Sequence, residues 1–229
     1  MKINRPLDQL FTNEARIQIL RTLFKFPGEF TGRHISRLSS LPHATSRLNL
    51  KALEGSDILT VKHVGRSNLY SLNKDNILYQ PLAALFEAEQ SVMRELEGRL
   101  THALRDNQDI SNKLIHASLY GSIVKEDESP DSDIDLFLLF NDDIDKSKLD
   151  ELLDPVREEV SKHFGNHLHI MSFYCNRRKN CDELLSLNLV KEVAHYGKKI
   201  YGEDLEEVLD LWQKEQKQRQ HIRAKKNSL

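Results

Sequence analysis

Leu119-Tyr120-Gly121-Ser122, followed ten residues on by Ser132-Asp133-Ile134-Asp135-Leu136 and then Phe137-Leu138-Leu139-Phe140, is the stretch whose reading decides the fold of this 229-residue chain. A small-residue turn leads through a polar loop to two carboxylates at the mouth of an apolar strand. Alternation along a strand sends Asp133 and Asp135 to one face and Ile134 to the other. Paired carboxylates repel each other and desolvate poorly, so they call for a counter-charge. A divalent cation supplies one: Mg²⁺ takes one or two carboxylates and completes its shell with phosphate oxygens. Gly121 lets a backbone approach closely and Ser122 adds a hydroxyl, which suits a triphosphate.

Hydrophobic-Gly-Ser, about ten residues, then Ser-Asp-Ile-Asp-Leu and a hydrophobic strand resembles the signature of the polymerase-beta-like nucleotidyltransferases, in particular their minimal prokaryotic members. The resemblance implies that Gly121, Ser122, Lys125 and Ser132 hold a nucleoside triphosphate while Asp133 and Asp135 bind Mg²⁺ or Mn²⁺. The reaction implied is in-line attack by a hydroxyl on the α-phosphorus with release of pyrophosphate. Lys125-Glu126 stands where the family often has Arg-Gly.

The family also places a third carboxylate on the neighbouring strand. Here that strand reads His167-Leu168-His169-Ile170-Met171-Ser172-Phe173-Tyr174, and the position falls on His169. A neutral imidazole brings no negative charge, but it can act as a general base near neutral pH or favour a softer metal such as Mn²⁺. Asp142, Asp143 and Asp145 are poor substitutes, because seven strand residues put Asp142 roughly 23 Å from Asp135. Glu126, Asp127 and Glu128 lie in the loop after Gly-Ser. The site set read from sequence is therefore Asp133, Asp135 and His169 for catalysis.

Upstream, Leu7, Leu10, Phe11, Ile17, Leu20, Leu23 and Phe24 follow the helical period over 7–26, and Pro27-Gly28 ends that helix. Thr31 caps a short second helix, and Pro42 opens a third that runs to about Glu54. Ile58–Val61 and Asn68–Leu72 read as strands joined around Gly65-Arg66-Ser67. Three helices and a hairpin make a winged helix-turn-helix. The third helix turns His43, Ala44, Arg47, Leu48 and Lys51 outward toward a major groove, with Thr45 and Ser46 near the DNA backbone. Lys62, His63 and Arg66 on the wing would meet phosphates. Phe30-Thr31-Gly32-Arg33, Val64-Gly65-Arg66-Ser67-Asn68-Leu69-Tyr70 and Leu72-Asn73 resemble the winged-helix domains that precede a nucleotidyltransferase domain in a group of prokaryotic two-domain proteins. Ser46 stands where those domains usually pack an apolar residue, Leu48 occupies a usually polar site, and Asp57 replaces a frequent Gly.

The charge distribution fits two halves of different kind. Residues 1–78 hold 12 Lys and Arg against 6 Asp and Glu, and the rest holds 21 against 29. A basic first module suits a polyanion and an acidic second one suits cations. No apolar run approaches a membrane span, and Met1-Lys2-Ile3-Asn4-Arg5-Pro6 lacks a signal-peptide core. Cys175 and Cys181 then read as reduced cytosolic thiols, and their spacing makes no zinc site.

The fold expected is α+β: a winged helix-turn-helix over 1–75, a linker helix over 76–106, a nucleotidyltransferase domain with a small mixed sheet over 107–202, and a C-terminal helix with a basic tail over 203–229. The strands of the sheet are expected at Ile115–Leu119, Ile134–Phe140, Asn166–Tyr174 and Lys198–Tyr201, with helices over 146–163 and 182–194. The apolar stripe of the linker helix serves as core or as a dimer seam. Three functions follow: a cytoplasmic, DNA-tethered nucleotidyltransferase with an unknown hydroxyl acceptor; a regulator on a catalytically degenerate nucleotidyltransferase fold; or one half of a toxin–antitoxin pair with a helical partner. A homodimer suits the two-fold symmetry usual for operators.

Overall fold

The computed structural model describes residues 4–5, 7–141, 145–175 and 181–226. The chain divides into two compact units, Met1–Met93 and Arg94–Leu229.

In the first unit α1 (Leu7–Leu10) and α2 (Glu14–Lys25) replace the single helix expected over 7–26. Asn13 makes the break, since it adopts extended backbone and its side chain caps α2 by accepting from the Arg16 amide at 3.1 Å. β1 (Phe30–Thr31) leads into α3 (Gly32–Leu38), where the Thr31 hydroxyl accepts from the His34 amide. α4 (His43–Glu54) follows Pro42, and β2 (Leu59–Val64) and β3 (Ser67–Leu72) form the hairpin, turning at Gly65 with φ +57°. β1 pairs with β3 through Phe30↔Tyr70, so the sheet has the order β1-β3-β2. Two residues are too short a strand to read from sequence, which is why β1 was not expected. Ile19, Leu20, Leu23, Ile35, Leu50, Leu53, Ile58 and Leu59 form the core, joined by Leu82 and Phe86 of α5 (Tyr79–Asp106). Phe24 stacks on Phe86 with ring centroids 5.0 Å apart. This unit is a winged helix-turn-helix.

The second unit begins within α5 and adds α6 (Gln108–Ser111), β4 (Leu114–Tyr120), the single-turn α7 (Ser122–Lys125), β5 (Ile134–Phe140), α8 (Lys146–Phe164), β6 (Leu168–Tyr174), α9 (Cys181–Ser186), α10 (Asn188–Tyr196), β7 (Lys198–Gly202) and α11 (Leu205–Lys226). The sheet order is β6-β5-β4-β7, with β5 and β6 parallel and the other pairs antiparallel. The helix expected over 182–194 is two, because Leu187 takes extended backbone between α9 and α10. β5 is one of the two inner strands, and Leu136 through Phe140 are fully buried on both faces. Phe137 and Leu139 pack with Val190, Val193, Leu205, Val208 and Trp212, which fastens α10 and α11 over the sheet. A strand buried on both faces can tolerate carboxylates only at its end, which is where Asp133 and Asp135 stand.

Cys175, buried after β6, is disulfide-bonded, which corrects the expectation of two reduced thiols. That expectation rested on cysteine count and the missing secretory signal, and neither reports on side-chain proximity. Asp142 and Asp143 lie outside the described residues. No described helix is long and apolar enough to cross a membrane.

Candidate functional site

The end of β5 fixes the site. In register, Tyr120 of β4 and His169 of β6 flank Asp135 on either side. Chain reversal after β4 brings Gly121 against the same carboxylate: a Cβ built on Gly121 would stand 2.3 Å from Asp135 Oδ2, and its φ is +77°. Only glycine meets both conditions. The Gly-Ser turn and the second carboxylate, fourteen residues apart, are thereby in van der Waals contact. Asp133 precedes β5, is exposed, and has no hydrogen-bond or ionic partner among the described residues. Ile134 between them is buried, so the alternation expected from sequence holds at this end of the strand.

His169 Nδ1 lies 3.0 Å from Asp135 Oδ1, with side chains 54% and 25% exposed respectively. The imidazole therefore occupies the side of Asp135 where the resemblance leads one to look for an acid. Tyr120, half-buried beside the cleft, has its phenol pushed up to about 12, first by burial and then by the charges of Asp135 and Glu192. It stays protonated near neutral pH, so its O–H is available to donate. Lys125, on α7, lies 2.6 Å from Glu192 Oε1 of α10, and the carboxylate raises the ammonium above its ordinary range.

Ser132 behaves differently from the other sequence-read residues. Its hydroxyl accepts from the Ser129 amide at 2.8 Å and lies 3.0 Å from the Ser129 hydroxyl, while its carbonyl accepts from Asn166. Its polar groups shape the loop before Asp133. Tyr120 and Glu192 were not read from sequence. Tyr120 carried a usable signal, being next to Gly121 on a strand that must neighbour β5. Glu192 carried none, since only folding brings it to a lysine 67 residues away.

In the first unit, α4 exposes His43, Ala44, Arg47, Leu48 and Lys51, with Thr45 half-buried. Ser46 is a correction: it is 0% exposed and its hydroxyl lacks a hydrogen-bond partner among the described residues, so it cannot reach a DNA backbone. The helical period puts position 46 on the same side as Leu50 and Leu53, and it is a core position filled by a polar residue. On the wing, Lys62 lies 3.7 Å from Glu29, while Arg66 at the hairpin tip is exposed and has no partner among the described residues. Arg33 and Arg37 of α3 are exposed cations that the sequence reading passed over.

A cavity of about 700 Å³ opens beside α5 and α8, lined by Gly98, Arg99, His102, Asp106, Pro155 and Glu159 among others. Its arginine is held between two carboxylates: Arg99 reaches Glu95 and Glu159 at 2.8 and 2.6 Å, and His102 Nδ1 lies 3.1 Å from Asp106. It holds none of the residues at the end of β5.

A mixed sheet with a Gly-Ser turn pressed on an Asp-x-Asp strand end follows a winged helix in the same chain. Residues 99–206 match the family model described as "Polymerase beta, Nucleotidyltransferase", and the second unit carries a nucleotidyltransferase domain of that family. No curated protein matches the chain. Among solved structures, one described as a toxin-antitoxin with AMP-PNP is similar at 22% identity, over 58% of this chain and 93% of that one, with a TM-score of 0.36. A toxin-antitoxin MntA-HpeT mutant is similar at 21% identity, with the same coverage and TM-score. A homodimeric winged helix-turn-helix DNA-binding domain from Mycobacterium bovis is similar at 26% identity, over 41% of this chain and 79% of that one, with a TM-score of 0.31.

Proposed function

We propose that the chain is a DNA-binding nucleotidyltransferase that moves a nucleoside monophosphate from an NTP to a hydroxyl acceptor. The observation that carries this reading is the contact between Gly121 and Asp135, because it seats the Gly-Ser turn against the second carboxylate of the Asp-x-Asp pair, so that a backbone suited to phosphates and oxygens suited to a cation converge at one place. Asp133 and Asp135 fit one Mg²⁺, which takes one or two carboxylates and otherwise phosphate oxygens. Among the described residues no three His, Cys, Asp or Glu side chains form a metal cluster, so the protein alone provides a partial shell. Bound there, the cation would neutralise charge on the phosphates.

The chain's own groups divide the remaining work. Gly121 and Ser122 bound the phosphate position, and Tyr120 donates from the β4 side. His169, oriented through Nδ1 by Asp135, keeps Nε2 for the acceptor hydroxyl and would take its proton as the oxygen attacks. In the winged helix, Arg47 and Lys51 of α4 with Arg66 on the wing meet DNA, Leu48 offers an apolar contact to a thymine methyl, and Arg33 and Arg37 add phosphate contacts. Calorimetric titration of each NTP with Mg²⁺ or Mn²⁺ tests the donor site. Wild type should bind and Asp133→Asn/Asp135→Asn should not; no binding by wild type with either metal ends the enzymatic reading.

A second reading draws on the His169–Asp135 hydrogen bond. An imidazole that occupies the carboxylate competes with a cation for it, which suits a regulator that senses a nucleotide without transferring it, including one half of a toxin–antitoxin pair. Nucleotide binding without turnover on any acceptor, unchanged in His169→Ala, would favour that reading.

A further inference from the structure

We infer that Glu192 is a specificity-determining residue of the donor site: its carboxylate holds the Lys125 ammonium at rest, so that a nucleotide gains this cation by displacing the carboxylate with its own phosphates. The inference rests on reading the Gly121–Asp135 cleft as the donor site.

Lys125 follows Ser122 by three residues, and it is the only lysine or arginine on the segment from the turn to Asp133. Its ammonium is nonetheless already paired, at 2.6 Å from Glu192, with both side chains nearly half exposed. The two ends of the pair differ in freedom. Glu192 sits on α10, which is anchored by buried Val190 and Val193. The turn after α10 is tight as well: a Cβ on Gly197 would stand 2.3 Å from the Val193 carbonyl oxygen and 3.2 Å from Ser118 Oγ of β4. Lys125 sits on one helical turn, and its four-carbon stem can swing. Tyr120 places Glu192 close to the cleft, since its phenol feels the charges of both Asp135 and Glu192.

An exposed ion pair of this kind is weak enough to exchange. A triphosphate chain carries several charges and displaces one carboxylate readily. A monophosphate or inorganic phosphate competes on nearly equal terms and gains little. Breaking the pair weighs on each ligand in proportion to its use of Lys125, so the carboxylate restrains the polyphosphate chain most and narrows its advantage over a monophosphate.

Calorimetry with ATP and with AMP, both in Mg²⁺, on wild type, Glu192→Gln, Lys125→Met and the double variant tests this. Glu192→Gln removes the charge at an exposed position and keeps the shape. It should tighten ATP binding roughly 3–10-fold and AMP binding by less, widening the preference for ATP. In the Lys125→Met background the same substitution should change neither. ATP binding that is unchanged or weaker in Glu192→Gln, or a gain that persists without Lys125, overturns the inference. If ATP binds wild type, is weakened by Asp133→Asn, and the Glu192 effect is absent, the donor site stands and the role of Glu192 falls. If ATP and AMP bind neither wild type nor Glu192→Gln, both fall.

Discussion

On α3 and α4 of the winged helix, Arg33, Arg37, Arg47 and Lys51 are exposed and form no ion pair among the described residues. In the nucleotidyltransferase unit, Arg99, Lys125, Lys148, Arg157 and Lys198 each lie against a carboxylate. In the same unit Asp133 is an exposed carboxylate that forms no ion pair among the described residues. Unpaired like charges on one face cost self-repulsion and gain nothing internally, so each unit's surplus marks where an oppositely charged partner gains most. The difference fits the polyanion proposed for the first unit and the cation-bearing ligand proposed for the second, and it suggests experiments that act on one unit and spare the other.

The largest effect is expected at Gly121→Ala. The added methyl would meet Asp135 Oδ2 at 2.3 Å from a backbone at φ +77°, which costs about 1–3 kcal/mol of strain and pushes the carboxylate aside. Metal-dependent NTP binding should be lost while DNA binding is kept. NTP affinity within twofold of wild type would break the link between turn and carboxylate on which the donor site depends.

The next effect belongs to the other unit. Arg47→Ala/Lys51→Ala should lower affinity for duplex DNA by roughly tenfold or more, and reduce the slope of log K against log salt by about one for each phosphate contact removed. Arg157→Ala, which removes a cation paired to Asp150 and Asp154, should leave DNA binding unchanged. Equal losses in both would erase the distinction between paired and unpaired cations.

A smaller effect concerns stability alone. Ser46→Ala removes a buried hydroxyl without a described partner, and should raise stability by about 1 kcal/mol with DNA affinity unchanged. A loss of DNA affinity would return Ser46 to the interface where the sequence reading placed it.

That reading reached the architecture because its signals were local. The apolar period of α2, the Thr31 cap, the Gly65 turn and the buried run from Leu136 to Phe140 each need only a few neighbouring residues. Asp133 and Asp135 were legible for the same reason, as was the anomaly at His169. What stayed hidden was set by tertiary contact: Glu192 against Lys125, the disulfide at Cys175, and the engagement of the Ser132 hydroxyl by Ser129. Ser46 was misplaced by chemistry, since a polar residue beside Arg47 looks like a DNA contact until the helical period assigns it to the core. The Asn13 cap was missed because an apolar period runs through it unbroken.

The smallest predicted effect separates the units by pH. The described histidines of the winged helix, His34, His43 and His63, are exposed, whereas His116 of β4 is buried, with Nδ1 2.8 Å from the Glu203 carbonyl oxygen. Burial pushes this imidazole below its ordinary value, with Lys199 adding to the fall and the Glu203 carbonyl and Asp204 opposing it. With the folded value below the unfolded one of about 6.5, the unfolded chain binds more protons in between. The stabilisation is complete above about pH 6.5, shrinks as pH falls through that value, and levels off below the folded one. Urea unfolding between pH 5 and 8 should show the second unit weakening on the acid side relative to His116→Gln, with no matching difference in the first. Parallel curves for the two proteins would mean that His116 takes up its proton while folded, and acid sensitivity would then have to be sought among the carboxylates instead.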